Sequence, residues 1–180
     1  MLRWLWLTAA VVVLDQVSKL VASASLVLHQ PVELLPMFNL TLMHNRGAAF
    51  SFLSDAGGWQ RWFFTLVAMV ISVVIFVWIK RLRHEHLQAA SLALILGGAV
   101  GNLIDRLLHG YVVDFLDVYY RGAQCLPMFF SWRRSGQPEC HWPAFNLADA
   151  AITLGVVLIL IDTLRQYRAD RRLAAKYKDG

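Results

Sequence analysis

Cysteine and charge are both scarce in this chain. Only two cysteines, Cys125 and Cys140, occur in 180 residues. That is too few for a disulfide framework, and no CxxC pair offers a zinc site. Charged residues make up 16% and apolar residues 58%, against about 45–50% apolar in an ordinary soluble domain. Short catalytic signatures are missing too. There is no HExxH, no G-x-S-x-G elbow, no Walker loop and no dinucleotide fingerprint, and the six histidines are scattered. His84 and His86 read as a solvated face. No internal repeat or low-complexity tract occurs. What remains is one domain whose solvent is lipid, with basic residues that suit anionic lipid better than nucleic acid.

The apolar excess is concentrated in four runs, roughly 4–24, 60–79, 87–107 and 145–164. Each approaches the ~20 residues that cross ~30 Å of hydrocarbon. The run from Trp62 to Ile79 carries no charge. The first run deserves a signal-peptide check, because Arg3 precedes it and Ala22-Ser23-Ala24 resembles an A-x-A cleavage site. Asp15 and Lys19 lie between run and site, so an uncleaved membrane anchor is the expectation.

Basic residues are distributed unevenly. Arg3, the loop 80–86 and the tail 165–180 together carry ten of the 17 Lys and Arg. The longer connections 25–59 and 108–144 carry only Arg46, Arg121, Arg133 and Arg134. The positive-inside rule then puts both termini, the loop and the tail in the cytoplasm, with the two long connections outside. In the first of these, Phe38-Asn39-Leu40-Thr41-Leu42 alternates like a short strand. Pro31 and Pro36 precede it and Gly57-Gly58 closes the loop. The expected fold class is an all-α membrane protein of four transmembrane helices, with a small extracytoplasmic β-element in the first outer loop. A short helix beside that element stays open.

Charges inside lipid cost roughly 2.5–3.5 kcal/mol each and mark sites by default. Five lie in or at the edge of the runs: Asp15, Lys19, Asp105, Arg106 and Asp149. Asp15 and Lys19 are spaced i,i+4 with the acid first, the favourable order for a helix pair. Structural pairing and direct substrate contact both stay open for them. Asn102, Asp105 and Arg106 share one helix face and read as bracing. Gly97 and Gly101 form a GxxxG, read as helix packing. Asp114, just beyond the third run, and Asp149, one turn into the fourth, reach the same membrane level. Two carboxylates sharing a site keep one proton between them, giving an acid and a base. On spacing alone, Asp114 as a surface loop residue and Asp149 as a first-turn acid favoured by the helix dipole is the plainer reading and stays open, and Asp117 competes as a partner. Asn45-Arg46-Gly47-Ala48-Ala49-Phe50 is either an ordinary turn or a close-approach loop offering an Asn donor and acceptor.

Five stretches, taken in order, resemble the lipoprotein signal peptidase family (signal peptidase II). They are Leu14 to Lys19 (LDQVSK), Asn45 to Phe50 (NRGAAF), Gly97 to Arg106 (GGAVGNLIDR), Val112 to Phe115 (VVDF) and Phe145 to Ile152 (FNLADAAI). The resemblance implies an intramembrane aspartic endopeptidase. It would remove the signal peptide from a prolipoprotein that carries diacylglycerol on a cysteine, cutting just before that cysteine. Asp114 and Asp149 would be the catalytic pair. Asp15, Lys19, Asn45, Gly47, Asn102, Arg106 and Asn146 would line or brace the site. No cofactor or metal is expected. The expected partners are the lipidated precursor and membrane lipid, the expected place is the bacterial inner membrane, and the chain is expected to act as a monomer. A proton-coupled transporter using Asp15, Lys19, Asp105 and Asp149 and a non-catalytic assembly factor are the competing readings.

One stretch departs from the family's pattern. The link between the two catalytic motifs is longer than expected, and Arg121 to His141 reads as an insertion. It is either a lid over the site or a segment resting at the membrane interface. An outward-facing loop meets an oxidising compartment, so Cys125 and Cys140 are candidates to pair there.

Overall fold

In the computed structural model of the chain, residues 2–47, 58–82, 85–122, 124–134 and 137–178 are described. Four helices dominate: α1 (Leu5–Ser25, entered through a 3-10 turn at Leu2–Trp4), α2 (Trp59–Arg81), α3 (His86–Leu108) and α4 (Leu147–Lys178). All four contain windows apolar enough to cross a membrane. The 21 and 23 residues of α1 and α2, at about 1.5 Å each, match a ~30 Å hydrocarbon layer. Helix α4 does not stop near 164 but runs on to Lys178, so the basic tail continues the helix.

Large apolar side chains cover the outside of the bundle. Trp6, Val13 and Leu20 on α1, Leu66, Val70 and Val74 on α2, and Leu154, Val157 and Leu164 on α4 are exposed. Lipid tolerates such a surface, because the helices satisfy their own backbone groups.

Helix α3 is the central element and packs on the other three. Its Leu92, Ala93 and Leu96 meet Ile75 and Ile79 of α2, and Trp4, Leu5 and Leu7 close over them. Small residues set how near the helices come. A methyl group on Gly97 would fall 2.7 Å from Cβ of Val11. On Gly98 it would run into the carbonyl oxygen of Ala148, and on Gly101 it would lie 2.5 Å from Oδ2 of Asp15. The packing role read for Gly97 and Gly101 therefore extends to Gly98. Glycine at 101 also leaves the space that the Asp15 carboxylate fills.

Strands β1 (Val32–Leu35), β2 (Phe38–Asn45), β3 (Val112–Arg121), β4 (Phe130–Arg134) and β5 (Gln137–His141) form one sheet in the order β1-β2-β3-β5-β4. Every neighbouring pair is antiparallel. The sheet lies at the end of the bundle where α1 and α3 finish and α2 and α4 begin. The strand expected at Phe38–Leu42 is the first part of β2. The four expected helices and a small sheet are present, but the expectation of an all-α chain with its β-element in the first connection is corrected in extent, since β3, β4 and β5 all come from the second. The stretch 121–141 is built into the sheet as the end of β3, a loop and the β4–β5 hairpin. Cys125 in that loop is disulfide-bonded to Cys140 in β5. Ala48-Ala49-Phe50, Gly57 and the short helix weighed for the first connection lie outside the described residues.

Candidate active site

The site begins at the N-terminus of α4. Asn146 precedes the helix, and its Oδ1 accepts the backbone N–H of Asp149 at 2.9 Å. In return an Asp149 oxygen accepts the N–H of Asn146 at 3.4 Å. This reciprocal pair is a capping box. It fixes the Asp149 side chain at the helix mouth, where the carboxylate also meets the positive end of the helix dipole. A second acid serves the same helix end. Asp15 Oδ1 of α1 accepts the N–H of Ala148 at 2.9 Å.

Asn146 has a second task. Its Nδ2 donates to Asp114 Oδ1 at 2.7 Å and lies 3.2 Å from the carbonyl of Val113. Asp114 stands on β3, directly across from Met43 of β2. Its other oxygen accepts Nδ2 of Asn45 at 3.1 Å. One asparagine thus joins the two carboxylates that lie 35 residues apart. Asp114 is buried, whereas Asp149 keeps a partly open face.

Below the pair lies a fully bonded ionic cluster. Lys19 Nζ is 2.8 Å from Asp15, 2.9 Å from Asp105 and 2.9 Å from Asn102 Oδ1, so its three N–H donors have three acceptors. Asp105 also accepts Gln16 Nε2 at 2.9 Å and the backbone N–H of Val113 at 3.0 Å. An ammonium can only donate, which settles how the Asn102 amide is turned. With Oδ1 on Lys19, its Nδ2 donates to Asp149 at 2.8 Å. Lys19, Asn102 and Asp149 therefore form one oriented chain reaching from the buried cluster to the mouth.

Arg106, one turn beyond Asn102, donates to the carbonyl of Gly47 at 3.2 Å and stands over the ring of Phe64. Gly47 is buried, and its N–H donates to Asn45 Oδ1 at 3.0 Å. That contact leaves the Asn45 amide nitrogen pointing at Asp114.

Burial, followed by the neighbouring Asp149 charge, pushes the Asp114 carboxyl from 3.8 up to about 7. The amides of Asn45 and Asn146 and the charge of Lys19 pull the other way without overcoming it. A carboxyl raised in this way beside a second carboxylate lets the two share a proton, an acid beside a base.

All nine residues singled out in the sequence fall in this one constellation, in direct contact or one residue removed. Asp117 does not. It faces away, toward Thr41 at 2.7 Å and His141 at 2.8 Å, so it is corrected as a partner for Asp149. Asp105, read from the sequence as bracing, joins the ionic cluster, and so does Gln16, which the sequence reading does not single out as a site residue. Asp105 carried a signal, since it shares a helix face with Asn102. Gln16 carried none beyond its place next to Asp15. Among the described residues no group of three or more His, Cys, Asp or Glu is arranged to hold a metal ion.

A family model described as signal peptidase (SPase) II matches residues 7–165. A lipoprotein signal peptidase of Alteromonas mediterranea is 48% identical over 165 residues, which is 91% of this chain and 81% of that one. The Acinetobacter baumannii lipoprotein signal peptidase is 50% identical over 163 residues, covering 90% and 83%. A solved bacterial membrane enzyme superposes with a TM-score of 0.73 at 29% identity, covering 92% of this chain and 89% of that one. A match over so much of the chain makes this protein a multi-pass membrane member of the lipoprotein signal peptidase family, the signal peptidase II aspartic peptidases.

Proposed function

We propose that Asp114 and Asp149 are the catalytic acid–base pair of this peptidase, and that its substrate is a prolipoprotein whose cysteine already carries diacylglycerol. The observation that carries the reading is the Asn146 bridge, which donates to Asp114 and caps the helix that holds Asp149. In this reading the ionised carboxylate takes a proton from water, and the water oxygen attacks the scissile carbonyl carbon. The protonated carboxyl gives its proton to the carbonyl oxygen. The tetrahedral intermediate then collapses, the C–N bond breaks, and the amine leaves with a proton returned from the pair.

A signal peptide helix satisfies its own backbone in lipid, and cutting it requires unwinding a short stretch. Arg106 and the Asn45–Gly47 segment supply polar partners for that stretch beside the carboxylates. The acyl chains remain in lipid, past the apolar outer surfaces of the helices. The cut falls immediately before the lipidated cysteine.

The distribution of Lys and Arg supports an orientation with both termini in the cytoplasm of a bacterial inner membrane and the sheet end outside. One chain contains every group the mechanism uses, which supports action as a monomer. Purified protein incubated with diacylglyceryl-modified and unmodified precursor, followed by mass spectrometry of the products, tests the reading. A new N-terminus at the lipidated cysteine is expected from the modified precursor alone. Equal cleavage of both, or a cut elsewhere, refutes it.

A further inference from the structure

Asn146 is held in place by the segment that precedes it, and that segment is zipped onto β3. Trp142 N–H donates to the carbonyl of Val118 at 2.8 Å, and Phe145 N–H donates to that of Leu116 at 3.0 Å. Phe115 and Leu116 N–H both donate back to Phe145. The zipper starts at His141, the last residue of β5.

His141 sits in a buried polar cluster outside the ionic group beneath the catalytic pair. Its Nδ1 is 2.8 Å from Asp117 Oδ1, and its Nε2 is 3.5 Å from Glu139 Oε2. Tyr119 stacks on the ring and Trp132 leans against it. Asp117 and Glu139 are 3% and 2% exposed, so neither carboxylate finds its counter-charge in water. Thr41 and Asn39 of β2 add neutral contacts to Asp117 at 2.7 and 3.5 Å. The charged and titratable groups facing His141 are Asp117 and Tyr119 on β3 and Glu139 on β5. Arg121, 3.5 Å from Glu139, and Glu33 of β1, 3.9 Å from Arg121, stand behind them. A neutral imidazole has one N–H, but two buried carboxylates face this ring. Among the described residues Glu139 Oε2 accepts no hydrogen bond; the cationic group nearest that oxygen is the His141 ring at 3.5 Å, while Arg121 meets the other oxygen, Oε1.

We propose that His141, clamped between Asp117 and Glu139, is a positioning residue for the peptidase: it locks segment 142–145 onto β3 and so sets where Asn146 meets Asp114 and Asp149. The clamp is complete only while the ring is an imidazolium. Burial opposes that charge, but the Asp117 hydrogen bond and the charges of Asp117 and Glu139 outweigh it and raise the pKa above 6.5. The contribution is therefore fully present below 6.5 and is lost as pH rises through the raised value.

The effect on turnover rests on the peptidase reading, whereas the clamp itself does not, so two readouts are taken. Cleavage rates and thermal midpoints are measured from about pH 6 to about pH 9 for wild type, His141→Gln and Asp117→Asn. In His141→Gln we expect kcat to fall on the order of tenfold at the acidic end with KM nearly unchanged, because a small misplacement of catalytic groups costs rate rather than binding. The gap should close toward the alkaline end, where wild type loses its own imidazolium, and the difference in midpoint should shrink with it. Asp117→Asn lowers the demand for a charged ring and should flatten the pH dependence of the midpoint. A rate ratio or midpoint difference that stays constant across the range overturns the proposal, as does a His141→Gln protein indistinguishable from wild type. If wild type cleaves nothing, the peptidase reading fails, and the midpoints still decide the clamp.

Discussion

Asn146 Nδ2 lies 2.7 Å from Asp114 Oδ1, while Oδ1 of the same side chain caps the helix bearing Asp149. Removing this amide should damage the site twice. Asn146→Ala loses an N-cap worth about 1 kcal/mol and frees Asp114 from Asp149. We expect cleavage to fall by roughly a hundredfold, as misplaced catalytic groups do, with only a modest fall in thermal midpoint in detergent. Near-normal cleavage by Asn146→Ala contradicts the bridging role.

The ionic cluster makes a different prediction, about stability. Lys19→Met removes the cation that lies between Asp15 and Asp105, both almost fully buried. Breaking a buried pair by removing one partner costs about 3–5 kcal/mol. The variant should lose most of its folded population in denaturant titrations, and Asp105→Asn should partly restore it. A variant as stable as wild type sinks this account of the cluster.

Part of this was readable from sequence and part was not. Hydropathy locates the spans because lipid imposes length and apolarity on each helix independently of the others. The Asp15–Lys19 pair is readable because i,i+4 spacing is local. Asp105 as the third member depends on how α1 lies against α3, which no local spacing encodes. The β4–β5 hairpin was illegible for another reason. Buried polar residues such as Glu139 and His141 sit where the alternation of a half-buried strand would place apolar ones. Asp117 competes for Asp149 in sequence because it is only three residues from Asp114, yet an odd separation along β3 turns the two acids to opposite faces of the strand, Asp117 toward Thr41 and His141 and Asp114 toward Asn146.

The Asp114 carboxyl gives stability a pH signature. Its folded pKa of about 7 stands above the ordinary 3.8, so its contribution is whole below 3.8 and is lost as pH rises through about 7. Stability should decline across that window by up to about 1.4 kcal/mol per pH unit. Asp114→Asn, which is neutral throughout, should remove this slope. Thermal midpoints at stepped pH check it, and identical slopes in the two proteins would contradict it.

Helix packing offers a prediction independent of charge. A methyl group at Gly98 collides with the backbone of Ala148, just ahead of Asp149. Gly98→Ala should destabilise by about 1–3 kcal/mol, the usual cost of overpacking, and should move α4 enough to lower cleavage. Unchanged melting and cleavage would show that α3 and α4 tolerate more separation than the structure implies.

Reduction of the Cys125–Cys140 bond should loosen the loop before β4 more than the rest of the chain. Closing a 15-residue loop stabilises by roughly 3 kcal/mol in the chain-entropy model. Hydrogen exchange with and without reductant should show faster exchange in residues 122–141 and little change in α3. Uniform exchange in both conditions contradicts the disulfide's local role.

The most direct test is a gel-shift cleavage assay on diacylglyceryl-modified precursor with wild type, Asp114→Asn and Asp149→Asn, each verified as inserted and folded. The account predicts processed product from wild type and none from either variant. Full processing by either amide variant would contradict the two-carboxylate mechanism.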